Sequence, residues 1–67
     1  MHPTATRILQ YIQDYIQAHG EPPTRREISE GCKIPLSVME YHLKQLMKFG
    51  HLVVRPREYR GIQLVKE

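Results

Sequence analysis

Three interruptions divide this chain: Gly20-Glu21-Pro22-Pro23, Lys33-Ile34-Pro35 and Gly50. Proline lacks the backbone donor a helix interior needs and clashes with the preceding turn, while glycine takes the left-handed conformation that stops a helix. Between the interruptions the apolar residues recur at helical spacing, and beyond Gly50 the period changes towards that of a strand. With 67 residues, this division leaves room for three short helices and one hairpin. A chain of that size buries only about 60% of its unfolded surface, so every element must contribute to one core. A cleft of several hundred Å³ is hard to build beside such a core, which favours a binding module over an enzyme.

In the first segment Ala5, Ile8, Leu9, Ile12 and Ile16 form one face and Gln10, Gln13, Asp14 and Gln17 the other, predicting a helix over Thr4–His19 with Pro3 at its start. Tyr11 and Tyr15 lie one turn apart at the edge of that face and read as partly buried packing. In the second segment Thr24 and Glu27 have the spacing of a capping box, in which side chain and backbone satisfy each other's donors at a helix N-terminus. The helix they open runs over Arg25–Cys32, with Ile28 and Cys32 inward. The third helix is expected over Leu36–Phe49, with Leu36, Met39, Leu43, Leu46 and Met47 on the inner face and His42 beside it. Ser37, Val38, Tyr41, Lys44, Gln45 and Lys48 fall on the other face, with Glu40 at the flank. "HLVVR" and "GIQLV" then read as two strands with Leu52/Val54 and Ile62/Leu64 inward, joined by a polar tip in which Pro56 forbids a continuous central strand. The fold class is mainly α with a small β-hairpin: a three-helix winged helix-turn-helix, one domain over residues 1–67.

The lone cysteine, Cys32, excludes an internal disulfide framework and a multi-cysteine metal site, and with no base or second cysteine near it in sequence it reads as a small buried apolar residue. His2, His19, His42 and His51 have no metal-ligand spacing, and there is no phosphate loop, nucleophile elbow or carboxylate pair. No cofactor and no catalysis are expected. No apolar run approaches a membrane span and Met1–Thr6 lacks a signal-peptide pattern, so the expectation is a cytoplasmic protein without a membrane partner. The net charge is +3, and residues 44–67 carry Lys44, Lys48, Arg55, Arg57, Arg60 and Lys66 against Glu58 and Glu67, which suits a polyanionic partner without requiring one.

"GEPPTRREI" before the second helix, "HLKQLMKFGHLVV" through the third helix into the first strand, and "YRGIQLV" in the second strand together resemble the DNA-binding domain of the LexA-type SOS repressors. The resemblance runs from about Thr4 to Val65 and implies double-stranded DNA as partner and a role as transcriptional regulator, most simply a repressor. It implies in addition that residues 37, 38, 40 and 41 face bases; only Glu40 matches the family in type, so a different DNA sequence is expected to be read. Family members act as dimers, which makes a homodimer on DNA an expectation here. "GCKIPLS" stands where the family has a leucine-glycine pair and a longer approach to the third helix. The family's self-cleaving, dimerising domain has no counterpart after Glu67, so the expected form is an excised domain or a small stand-alone relative, and the resemblance does not extend to regulation by self-cleavage.

An α-helix fits the DNA major groove and reads base edges mainly with its first turns, which singles out Ser37, Val38, Glu40 and Tyr41 as base-reading candidates. Ser37 can donate or accept, Val38 can pack on a thymine methyl, and Glu40 can accept from a cytosine amino group. Backbone-binding candidates are Thr24, Arg25 and Arg26, where free amides, the helix dipole and arginine forks suit a phosphate. Lys44 and Lys48 on the third helix join them, as do Arg57, Tyr59 and Arg60 at the hairpin tip and its return. The blander readings are a Thr24 that only caps, a solvated helix face, and a charged tip that only prevents strand pairing. A winged helix docking a protein through its third helix is the alternative function; Tyr41 and Val38 are its only sizeable anchors, fewer than an interaction hot spot usually needs.

Overall fold

The computed structural model describes residues 2–55 and 60–65. Helix α1 spans Pro3–His19. His2 caps it, its Nδ1 accepting from the Thr4 amide at 3.1 Å, and Pro3 fills a first-turn position where no amide donor is needed. At the other end Gly20, with φ of 75°, donates its amide to the Ile16 carbonyl and turns the chain out of the helix. Ala5, Ile8 and Ile12 are buried, with Leu9, Tyr11 and Ile16 packed along the edges of that stripe.

Helix α2, Arg25–Cys32, opens with the expected capping box: the Glu27 amide donates to Thr24 Oγ1 at 3.1 Å and the Thr24 amide to Glu27 Oε1 at 2.8 Å. It crosses α1 so closely at Gly31 that a methyl group there would overlap the Cε2–Cζ edge of the Tyr11 ring, 2.7 Å from its hydroxyl oxygen. Three residues join α2 to α3. Lys33 takes the left-handed conformation (φ 57°), the Ile34 amide donates to the Ser29 carbonyl, and Ser29 Oγ donates to the Ile34 carbonyl at 2.6 Å. Arg7 of α1 donates to the Cys32 carbonyl at 2.7 Å, so an arginine from another helix satisfies this C-terminus.

Helix α3 spans Leu36–Lys48, one residue short of the sequence expectation. Its buried stripe is Met39, His42, Leu43 and Leu46. Leu36 and Met47, expected inward, are half-exposed. At about 100° per residue they fall to one flank of the stripe through 39, 43 and 46, and His42 takes the opposite edge. Its ring lies 4.7 Å from that of His2 and 5.2 Å from that of Tyr41, centroid to centroid.

Gly50 (φ 82°) leads into β1, Leu52–Val54, which pairs antiparallel with β2, Ile62–Leu64, in the register Leu52↔Leu64, Val53↔Gln63, Val54↔Ile62. Leu52 and Ile62 reach the core and Val54 and Leu64 pack on its edge, as the alternation predicts. Ile8, Ile12, Ile28 and Met39 have no exposed surface, and each such side chain contributes about 1.5–3 kcal/mol of burial. Three helices followed by a hairpin that closes the same core make a winged helix-turn-helix.

Candidate nucleic-acid interface

Thr24, Arg25, Arg26, Glu27 and Glu30 line a concavity of about 520 Å³ at the mouth of α2. Thr24 is buried by its capping role, whereas Arg25 and Arg26 stand exposed on the first turn. This mouth abuts α3: Arg25 Nε lies 3.6 Å from Glu40 Oε1, with both side chains about half exposed. A pair so open to water is worth little to stability, but it brings one backbone-binding and one base-reading candidate together.

Along α3, Ser37, Tyr41, Lys44 and Lys48 follow at intervals of four, three and four residues and are all exposed, forming a straight stripe opposite the buried one. Tyr41 is 61% exposed, an aromatic ring left largely in solvent. Val38 is exposed on one flank of the stripe and Glu40 is partly exposed on the flank beside α2. The four base-reading candidates and the two lysines therefore share one side of one helix, and Arg25 adjoins it at Glu40.

The hairpin divides differently. Arg57 and Tyr59 lie outside the described residues. Arg60 is partly exposed and turned onto the mouth of α2: Nη1 donates to Glu27 Oε1 at 2.7 Å, to the Pro22 carbonyl at 3.0 Å and to the Tyr15 hydroxyl at 3.2 Å. Its Nε lies 3.2 Å from Glu21 Oε2. The Tyr15 hydroxyl donates to Glu27 Oε2 at 2.9 Å. Hydrogen bonds from the Thr24 amide first, and from Arg60 next, hold the Glu27 carboxyl down at about 2, against an ordinary value of 4.5. Glu27 in turn holds the Arg60 guanidinium protonated beyond its ordinary range.

Two features escaped the sequence. Tyr15 and Glu27 serve as partners of Arg60 across 45 and 33 positions, which no local pattern signals. A half-open groove of about 640 Å³ lies on the other flank of α3, lined by His2, Ala5, Tyr41, His42, Gln45, Leu46, Phe49 and His51, with Phe49 69% exposed. Cys32 is buried, and burial pushes its thiol above the ordinary range, which keeps it a neutral packing group as expected.

A sequence model of the helix-turn-helix domain family matches residues 1–55, through α1, the α2–turn–α3 unit and β1. The chain belongs to the helix-turn-helix domain family. It is similar over nearly its whole length to the LexA repressor of Dechloromonas aromatica, 42% identical over 67 residues, covering 97% of this chain and 33% of the relative. The LexA repressors of Carboxydothermus hydrogenoformans (37% over 62 residues, 91% of this chain and 30% of the relative) and Pseudomonas aeruginosa (39% over 64 residues, 92% and 31%) are similar over the same region. The resemblance carried by "GEPPTRREI", "HLKQLMKFGHLVV" and "YRGIQLV" is thus borne out, and the chain spans about a third of the length of these relatives. No helix among the described residues is long and apolar enough to cross a membrane.

Proposed function

We propose that this chain is a sequence-specific double-stranded DNA-binding domain acting as a cytoplasmic transcriptional regulator, most simply a repressor that occupies an operator. The observation that carries the reading is the exposed stripe of α3, Ser37-Tyr41-Lys44-Lys48, flanked at its start by Arg25 and Arg26 on the mouth of α2. A helix presenting small, hydroxyl and aromatic groups in its first turns and lysines further on can enter the major groove, reading with the former and holding phosphates with the latter. Ser37, Val38, Glu40 and Tyr41 are the base readers. Thr24, Arg25, Arg26, Lys44 and Lys48 fix the backbone register, joined by Arg57 and Tyr59, which lie between β1 and β2 in the sequence. Glu40 pairs with Arg25 through Oε1 only, which leaves Oε2 to accept from a cytosine amino group. The similarity to proteins named LexA repressor supports the repressor reading.

Selection of bound duplexes from a random pool tests this. A defined consensus is expected, and a palindromic one with half-sites one helical turn or a multiple apart identifies two copies bound together. Recovery of unenriched sequence at low and moderate salt contradicts specific reading.

A further inference from the structure

The Glu27 carboxylate caps α2 and anchors the hairpin with the same oxygen: Oε1 accepts from the Thr24 amide at 2.8 Å and from Arg60 Nη1 at 2.7 Å. Arg60 stands at the return of the hairpin, just ahead of β2. Its guanidinium gathers groups from α1 (Tyr15), from the α1–α2 connection (Glu21 and Pro22) and from α2 (Glu27). A rigid planar fork held by acceptors from several directions has its orientation fixed in a way that one exposed ion pair does not. The hairpin it belongs to has strands of three residues each, too little to hold its own direction. Among the described residues two carboxylates, Glu21 and Glu27, stand against this one guanidinium, so their charge offsets its attraction for a phosphate.

We propose that Arg60 is a positioning residue for DNA binding: it locks the return limb of the hairpin to the mouth of α2 through Glu27, so that hairpin and mouth meet the DNA backbone as one rigid unit. It is not itself a phosphate ligand, the role the sequence alone suggests. This rests on the reading of the chain as a DNA-binding domain.

The test is a double-mutant cycle on affinity for a selected duplex, with parent, Arg60→Gln, Glu27→Gln and the double variant. All are measured at a temperature where circular dichroism shows each fully folded. Glutamine at position 27 keeps a capping-box partner for Thr24 while removing the charge that holds Arg60. Each single variant is expected to bind about tenfold more weakly, and the double no more weakly than the worse single, because the two residues act as one. By charge alone Glu27→Gln would strengthen binding to a polyanion, so its weakening reports position. Arg60→Lys keeps the charge without the fork and is expected to bind as weakly as Arg60→Gln.

Three results overturn the proposal: unchanged affinity in the folded single variants; an equal loss from Arg60→Gln in both backgrounds with a salt slope lower by about one; or full affinity in Arg60→Lys. If Arg60→Gln does not fold, Tyr15→Phe removes two bonds of the same junction, the one from Arg60 and the one to Glu27, and is expected to weaken binding in the same direction, with unchanged affinity overturning the proposal. A parent whose duplex binding is insensitive to salt defeats the DNA reading itself, and does so before any variant is compared.

Discussion

At the scale of single residues, Glu27 joins stability to pH. Its carboxyl titrates at about 2 in the folded chain against an ordinary 4.5, chiefly because the Thr24 amide and then Arg60 donate to the ionised form. A depressed carboxyl favours the fold above its unfolded value, so this contribution is complete above about pH 5 and is lost as the pH falls from there towards 2. Urea midpoints followed over that range are expected to fall more steeply in the parent than in Glu27→Gln, and equal slopes contradict the assignment. Arg25 and Arg26 carry a different prediction. Their joint replacement by alanine should weaken binding to all duplexes alike and lower the slope of log affinity against log salt by about one per lost phosphate contact. An unchanged slope means that this mouth only caps its helix. The capping box was legible in the sequence because its two members stand three positions apart. The clamp on Arg60 was not, because its partners come from far along the chain and only packing brings them together.

At the scale of elements, α3 has opposed duties on opposed faces. Leu43 is buried at the centre of its inner stripe, and Leu43→Ala should cost about 2–5 kcal/mol through lost burial and the cavity left behind. A variant that melts like the parent contradicts the packing. On the outer face, replacing Ser37 and Tyr41 together should flatten discrimination by about 1–3 kcal/mol per affected base pair, with little loss on random DNA. Competition between a selected and a scrambled duplex measures both quantities, and retention of full preference moves recognition elsewhere. The five elements were legible because Gly20–Pro23 and Lys33–Pro35 interrupt the helical apolar period, strand spacing replaces it after Gly50, and Pro56 divides the two strands. The edges of α3's inner face were less so. Leu36 and Met47 are apolar enough to read as core, yet the helix rotation set by Met39, Leu43 and Leu46 leaves them half-exposed and buries His42 instead. Hydrophobicity names candidates for a core; the geometry of packing against α1 and the hairpin chooses among them.

At the scale of the whole molecule, one core drawn from all five elements carries an outer surface in which the α3 stripe and the α2 mouth adjoin. Under the proposed function, groove entry and phosphate contact occur in one approach, and affinity and specificity separate by residue rather than by domain. That is the central claim, and the most direct measurement is the affinity of the parent chain for a selected duplex and for a scrambled one across a salt series. The account predicts that both affinities fall steeply with salt along nearly parallel lines, and that the selected duplex stays the tighter throughout. Binding that ignores salt, or two lines that coincide, would contradict it.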